Sequence, residues 1–248
     1  FKAAHTSFDA YNEYLHVQSL ETGTYATVPG PNPFNGWDIT YTLPAGVAIR
    51  GAVVLNNNTT TPVANMTFNS TGYSVNVNGL ACTAGKGFSL RASLAITGED
   101  NSLVADQLYG GSGADVISGR GGNDLVDGKK GIDTLTGGAG IDTFQFSSFG
   151  TDNADSITDF SSTDRIMLDN DCFVGVSAGR VQASEFATTF SQSSVVANST
   201  RIIYFKQSNS TGQLYYDPTG GGAIDRVLIA NITTPLGTTF NGSNVFIA

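Results

Sequence analysis

The chain has little of what membrane spans, disulfide frameworks and nucleic-acid interfaces require. Its 248 residues include two cysteines and one tryptophan, and only 13% of them are charged. No apolar run approaches the roughly twenty residues of a membrane span, and no cluster of basic residues predicts binding to nucleic acid. The widely separated Cys82 and Cys172 leave both a disulfide and two free thiols open.

Catalytic motifs are also missing. The two histidines, His5 and His16, lie near the start of the chain, and neither a His-Glu-x-x-His zinc pattern nor a Gly-x-Ser-x-Gly elbow is present. We expect local hydrogen bonding from these histidines rather than catalysis, and we predict that the chain is not an enzyme. No segment resembles an N-terminal signal peptide, and the start at Phe1 leaves a fragment or a processed form open.

Glycine is abundant, with 30 residues, and recurs with aspartate in a nine-residue pattern between residues 101 and 145. Each repeat has a six-residue turn that ends in aspartate and a three-residue strand whose middle residue is apolar. One apolar side chain per repeat cannot close a core, so successive strands must stack. A flexible linker would not keep this register five times. The aspartates are Asp106, Asp115, Asp124, Asp133 and Asp142, and the apolar residues are Leu108, Ile117, Val126, Leu135 and Phe144.

The turns predict binding sites for several Ca²⁺ ions. Glycine permits turn conformations that leave carbonyl groups unpaired, and carbonyl and carboxylate oxygens together are the ligands that Ca²⁺ prefers. No histidine or cysteine lies nearby in the sequence, so the ligands that zinc and copper prefer are missing. Residues 101–172 hold twelve acidic and four basic side chains, which gives −8 of the net charge of −9. The candidate ligands in the repeats are Asp106, Gly110, Ser112, Asp115, Gly119, Gly121, Asp124, Gly128, Lys130, Asp133, Gly137, Ala139 and Asp142.

Alternate turns are expected on the same edge of the stack, with each ion between turns eighteen residues apart. Asp106, Asp124 and Asp142 should line one edge, and Asp115 and Asp133 the other. The first repeat has no turn glycine, so we expect it to cap the stack and to bind weakly. Lys129 and Lys130 lower the negative field in the turn that ends at Asp133.

This repeat resembles the Ca²⁺-binding nonapeptide of RTX (repeats-in-toxin) proteins, which implies a parallel β-roll. Residues 152–169 resemble the segment that follows the roll in that family, which implies a further Ca²⁺ at Asp155 and Asp159. Asp164 matches the next acidic position there, or pairs instead with Arg165. Residues 240–248 resemble an uncleaved type I secretion signal, which implies a type I exporter as partner and a secreted or cell-surface location.

The rest of the chain is expected to be mostly β. Residues 1–20 look mildly helical, whereas residues 35–97 and 200–248 alternate as strands do. Residues 35–46 resemble cellulose-binding β-sandwich modules, but Trp37 is the only tryptophan, so their flat tryptophan platform is absent and Trp37 is expected in the core. We predict an all-β chain with a sandwich-like domain at 1–100, a β-roll with its acidic flank at 101–172, and a C-terminal β region at 173–248.

Three functions remain open on these grounds. The first is a secreted, Ca²⁺-dependent structural protein, such as a surface-layer, filament or adhesin component that self-assembles. The second is a module that binds extracellular polysaccharide through exposed tyrosines, Tyr215 and Tyr216. The third is the secretion and folding appendage of an RTX enzyme.

Overall fold

The computed structural model describes residues 3–9, 14–19, 23–24, 36–40, 46–57, 66–69, 72–76, 81–82, 87–98, 105–194, 196–220 and 225–248. These fall into two compact units, residues 1–95 with 111–113, and residues 96–110 with 114–248. The division into three domains at residues 100 and 172 stays a prediction. No helix in the described part of the chain is long and apolar enough to cross a membrane.

The first unit is built from antiparallel strand pairs. Strand β2 pairs with β1 and β9, β3 pairs with β8, and β7 lies between β4 and β6. The expected β structure of residues 35–97 is confirmed, and the sandwich stays a prediction. The side chain of Trp37 lies outside what the structure describes. The strands are β1 (Ala3–Asp9), β2 (Tyr14–Ser19), β3 (Gly23–Thr24), β4 (Gly36–Thr40), β5 (Val47–Asn57), β6 (Met66–Asn69), β7 (Gly72–Asn76), β8 (Ala81–Cys82) and β9 (Gly87–Thr97).

The expected helical character of residues 1–20 is wrong. Residues 3–9 and 14–19 form an antiparallel hairpin in which Phe8 faces Leu15 and Asp9 faces Tyr14. The apolar spacing that suggested a helix is also compatible with strands, and cross-strand pairing with a third strand stabilises the extended form. Segments of six or seven residues are also too short to be stable as isolated helices.

The second unit contains the nine-residue repeats, which form two parallel ladders. Strands from alternate repeats pair in register, so that Ile117 lies beside Leu135 and Val126 beside Phe144. These four side chains are completely buried and form the core between the ladders. The strands are β10 (Gln107–Tyr109), β11 (Val116–Ser118), β12 (Leu125–Asp127), β13 (Thr134–Thr136), β14 (Thr143–Phe146), β15 (Asp155–Ile157) and β16 (Arg165–Leu168).

Both ladders continue into the C-terminal region. The first runs β11-β13-β15-β21-β20-β19-β18, and the second runs β10-β12-β14-β16-β22-β17. The all-β class, the parallel roll and the β character of residues 200–248 are therefore confirmed. The remaining elements are β17 (Gly179–Arg180), β18 (Phe186–Thr189), β19 (Ile202–Lys206), β20 (Thr211–Tyr216), β21 (Val227–Thr233), a 3₁₀ helix (Gly242–Asn244) and β22 (Val245–Ile247).

An aromatic cluster closes the end of the roll. The ring of Phe240 lies 4.6 Å from that of Tyr204 and 5.2 Å from that of Phe160. Just before β22, the Asn244 amide donates hydrogen bonds to the carbonyls of Ser162 and Asp164. Among the described residues, Cys172 carries a free thiol, which donates to the carbonyl of Ser147 at 2.8 Å.

Candidate metal-binding turns

The aspartates of alternate repeats form two columns linked by hydrogen bonds. The backbone N–H of Asp106 donates to Oδ1 of Asp124 at 2.9 Å, and that of Asp124 donates to Oδ1 of Asp142 at 2.9 Å. In the other column, the N–H of Asp115 donates to Oδ1 of Asp133 at 2.8 Å. The structure thus places the five aspartates on two edges, as the nine-residue period predicted.

The second oxygen of each carboxylate points back along its own turn. A Cβ placed on Gly110 would lie 2.8 Å from Oδ2 of Asp115 and 2.6 Å from the carbonyl oxygen of Gly128, eighteen residues later. The same two kinds of oxygen lie against Gly119, from Asp124 and Gly137. Glycine is needed here because a side chain would fill the space between the carboxylate and the next turn. The first glycines of the repeats are Gly110, Gly119, Gly128 and Gly137.

The first repeat obtains its glycine from further upstream. A Cβ on Gly98 would lie 2.6 Å from Oδ2 of Asp106 and 2.6 Å from the carbonyl of Gly119. The Gly98 N–H also donates to the carbonyl of Ser118 at 2.8 Å. Gly98 therefore fills the place of the first turn glycine, which the spacing of the other repeats did not reveal.

The third residues of the turns, predicted as carbonyl ligands, differ in exposure. Ser112 and Gly121 are buried, whereas Lys130 and Ala139 are exposed. Gly121 and Ala139 form a parallel bridge, and the Ala139 carbonyl accepts a hydrogen bond from Gly122 at 3.0 Å. The Ala139 carbonyl is consequently held in place by the turn eighteen residues earlier.

The columns continue beyond the five recognised repeats. The N–H of Asp133 donates to Oδ1 of Asp155 at 2.9 Å, and that of Asp142 donates to Oδ1 of Asp164 at 3.0 Å. Asp164 thus belongs to a column and accepts from Ser161 as well, while the Arg165 guanidinium lies 5.6 Å from the centre of the Phe246 ring. Asp164 is a candidate ligand that the sequence reasoning left undecided.

Asp155 and Asp159 lie in different turns. Asp155 begins β15 in the column of Asp133, whereas Asp159 follows that strand and accepts from the N–H groups of Gly137 at 3.0 Å and Gly138 at 2.8 Å. The two carboxylates therefore serve opposite edges of the roll rather than one shared site. Asp159 stands beside the turn that precedes Asp142.

The donor set suits a hard cation. Oδ2 of Asp124 and Oδ2 of Asp142 are buried and have no hydrogen-bond partner among the described residues. Burial raises the pKa of Asp142 to about 6 and that of Asp155 to about 7, and neighbouring carboxylates add to both rises. A buried carboxylate without a donor is costly unless a positive charge is near it. Ca²⁺ supplies that charge and accepts oxygen ligands in variable geometry.

Backbone oxygen must supply much of each site. No three carboxylate, imidazole or thiol side chains converge on one point in the part of the chain that the structure describes. Each turn instead offers one carboxylate next to the carbonyls of glycine-rich backbone. Such a mixed set disfavours zinc and copper, which prefer nitrogen and sulfur.

The comparison with protein families agrees with this chemistry. The family model described as the RTX calcium-binding nonapeptide repeat (4 copies) matches residues 104–135 and 127–145. No curated protein matches. Among solved structures, the chain is similar to the solution structure of the AlgE6R3 subunit from the Azotobacter vinelandii mannuronan C5-epimerase, at 26% identity and a TM-score of 0.38. That match covers 61% of this chain and 76% of the other.

The repeat pattern, the two columns of buried carboxylates and the family match at residues 104–145 point to the same structure. This chain is built around an RTX β-roll whose repeats bind several Ca²⁺ ions.

Proposed function

We propose that the chain is a secreted structural protein of the cell surface, a surface-layer, filament or adhesin component, whose roll folds on Ca²⁺ outside the cell. The observation that carries this proposal is the pair of buried carboxylate columns. With Asp106, Asp124 and Asp142 in one column and Asp115 and Asp133 in the other, like charges lie eighteen residues apart along the stack. Such columns are unfavourable without a cation and favourable with one.

Calcium concentration then determines where the chain folds. Extracellular modules bind Ca²⁺ with dissociation constants of about 10⁻⁴–10⁻³ M, and cytosolic Ca²⁺ is far scarcer. A ligand that binds only the folded state stabilises that state by mass action. The chain therefore stays open inside the cell, in a form that a type I exporter can thread, and closes after export.

A non-enzymatic role accords with how the carboxylates are used. Those of the roll accept hydrogen bonds from backbone N–H groups of neighbouring turns, which fixes them as parts of a scaffold. The ion-locked roll and its C-terminal extension form a rigid body suited to bearing contacts. We propose self-assembly on the cell surface as its use.

Circular dichroism and light scattering in chelator, and then during addition of Ca²⁺, test the proposal. The wild-type chain should gain β structure cooperatively with a midpoint of about 10⁻⁴–10⁻³ M and then grow into a large ordered species. Asp124→Asn keeps an oxygen for the Asp106 N–H but replaces the buried oxygen with an amide nitrogen. Its midpoint should rise by about tenfold or more.

The matched control is Asp152→Asn, which removes an exposed carboxylate in the turn before Asp155. Its midpoint should stay that of the wild type. A roll that is fully folded in chelator would contradict calcium-dependent folding. A compact monomer at saturating Ca²⁺ would contradict self-assembly while leaving the folding step intact.

A further inference from the structure

The outer face of the C-terminal sheet carries a polar row that the roll does not use. Strand pairing places Thr189, Phe205, Gln213 and Asn231 side by side on β18, β19, β20 and β21. The opposite face, with Tyr204 and Tyr216, packs into the aromatic core. Residues 190–194 approach the outer face, and a cavity of 130 Å³ lies there, lined by Thr189, Gln192, Ile203, Phe205, Tyr215 and Arg226.

A hydrogen-bonded network of amides and a phenol forms one wall of this cavity. Tyr215 donates to Oε1 of Gln213 at 3.0 Å, and the Gln192 amide donates to the same oxygen at 2.9 Å and to the Tyr215 hydroxyl at 3.1 Å. Gln213 in turn donates to Asn231 at 2.9 Å. An amide has two donor hydrogens and two acceptor lone pairs, so the network keeps capacity for further hydroxyl groups.

Thr189 provides an independent sign of a ligand. It is 7% exposed, and its hydroxyl is buried without a hydrogen-bond partner among the described residues. Thr189 is one of the residues that line the cavity, and its unpartnered hydroxyl would gain a hydrogen bond if its side chain turned toward a ligand hydroxyl.

The charges of the site favour a neutral ligand. The Arg226 guanidinium donates to the carbonyls of Gln192 at 3.1 Å and Ser194 at 2.6 Å, and it forms an ion pair with Asp217 at 3.9 Å. It therefore holds residues 192–194 against the sheet, and the buried Asp217 carboxylate offsets its charge. The volume is below the roughly 300–1,000 Å³ of drug-sized pockets and suits a single ring.

We propose that this cavity binds one neutral pyranose unit of a glycan, with the rings of Phe205 and Tyr215 against the sugar and its hydroxyl groups on Gln192, Gln213 and Thr189. Aromatic rings supply a flat apolar contact with a polar edge, and paired amides satisfy adjacent hydroxyls. The site is separate from the Ca²⁺ turns and independent of whether the chain self-assembles.

The experiment uses the full chain at saturating Ca²⁺ and NMR titration with the methyl glycosides of glucose, galactose, mannose and N-acetylglucosamine, with glycerol as a flexible polyol. At least one glycoside should shift the side-chain amide signals of Gln192 and Gln213 in a saturable way, and glycerol should not. Tyr215→Phe should weaken that binding by about five- to tenfold, because it removes the hydroxyl that holds the Gln192 and Gln213 amides in place for the sugar.

Tyr109→Phe is the matched control, because Tyr109 donates to Gln107 on the roll in the same way, at 3.1 Å. It should leave binding unchanged. Thr189→Val should also weaken glycoside binding while leaving the thermal midpoint of the sugar-free protein equal or higher, since it removes a buried polar group. If no glycoside shifts these amides, or if both tyrosine variants bind equally, the cavity holds only water and the proposal is wrong.

Discussion

At the residue scale, the glycine that opens each turn is required by a close approach and not by an unusual backbone angle. Beside Gly119, the Asp124 carboxylate and the Gly137 carbonyl occupy the space that a side chain would need. A substitution there forces apart the two kinds of oxygen that the ion needs together. The repeat therefore couples the identity of this glycine to the binding of the ion.

Gly119→Ala should destabilise the Ca²⁺-bound roll by about 1–3 kcal/mol, the usual cost of a contact that cannot relax. Denaturant unfolding at saturating Ca²⁺ measures it. Ser118→Ala, one residue earlier and half-buried, should change the stability little. Equal effects from the two variants would show that the close approach at Gly119 is not restrictive.

Among the residues that the structure describes, two adopt the left-handed backbone region without being glycine. Arg120 has φ 69° and Lys129 has φ 63°, at the turn position where the last repeat has Gly138, with φ 98°. This conformation costs an L-residue roughly 1–2 kcal/mol. Glycine would remove that cost, but its greater loss of backbone entropy on folding would destabilise the folded state by roughly 0.5–1 kcal/mol.

Arg120→Gly should therefore stabilise the folded chain by about 0.5–1 kcal/mol. Lys129→Gly should gain less, because the Lys129 ammonium lies 5.4 Å from the centre of the Tyr109 ring and that contact would be lost. Thermal unfolding of the two variants at saturating Ca²⁺ makes the comparison. A larger gain at Lys129 than at Arg120 would contradict this reasoning.

At the element scale, the period of the repeat predicted the two columns. Aspartates nine residues apart lie on opposite edges of the roll, and aspartates eighteen residues apart lie on the same edge. The columns were not followed past Asp142, because the next aspartate that belongs to a column, Asp155, comes thirteen residues later and out of the nine-residue register. Residues 147–153 interrupt the period. Asp155 and Asp164 are again nine residues apart, each with isoleucine two positions later, and this signal could have placed both in the columns.

Deletion of residues 119–136 tests the eighteen-residue period. It removes one strand from each ladder and should bring Asp106 beside Asp142 and Asp115 beside Asp155, so the roll should still fold on Ca²⁺. About two fewer ions should bind, as measured by calorimetric titration. Deletion of residues 119–134 breaks the register and should abolish folding. An equal ion count before and after the eighteen-residue deletion would contradict sites between alternate turns.

Other features could not be predicted from the sequence for physical reasons. The aromatic pair Tyr215 and Tyr216 was expected to be exposed, yet neighbouring residues of a strand face opposite sides. Tyr216 is 1% exposed and packs against Phe149 and Phe173, whereas Tyr215 lines the outer cavity. Which of the two faces the core depends on strand pairing, which local spacing does not specify.

At the scale of the whole second unit, the roll and its C-terminal extension share both ladders. Strand β21 continues the ladder of β15, and β22 continues that of β16. The last strand is deeply buried, with Val245 fully buried and Ile247 4% exposed. The end of the roll is therefore covered by strands that lack the repeat, and its stability should depend on them.

Phe240→Ala should cost about 3–5 kcal/mol, as is usual for a buried phenylalanine, and should raise the Ca²⁺ midpoint of the entire roll. Its ring is 5% exposed and contacts those of Phe160, Phe186 and Tyr204. Leu236→Ala, at a side chain that is 84% exposed, is the control. Hydrogen exchange at β11 and β12 reports on the roll. Unchanged protection there would show that the roll folds without its extension.

In the metal-free chain, protonation of the buried aspartates should partly substitute for Ca²⁺ in stabilising the folded state. Burial is the first cause of the raised pKa values of Asp142, about 6, and Asp155, about 7, against 3.8 for an ordinary aspartate. Between about pH 4 and 7 the folded state binds more protons than the unfolded state, so its stability falls as the pH rises through this window. The destabilisation is absent below about pH 4 and complete above about pH 7.

Acidifying a calcium-free solution from pH 8 to pH 5 should accordingly increase the folded fraction, measured by circular dichroism. At fixed, subsaturating Ca²⁺ the same change should lower ion binding, because protons and Ca²⁺ compete for the same carboxylates. Asp155→Asn should flatten the upper part of the calcium-free pH profile, since it removes the group with the higher pKa while keeping an oxygen for the Asp133 N–H. If the folded fraction instead rises with pH in calcium-free buffer, repulsion between the buried carboxylates of the columns does not control folding.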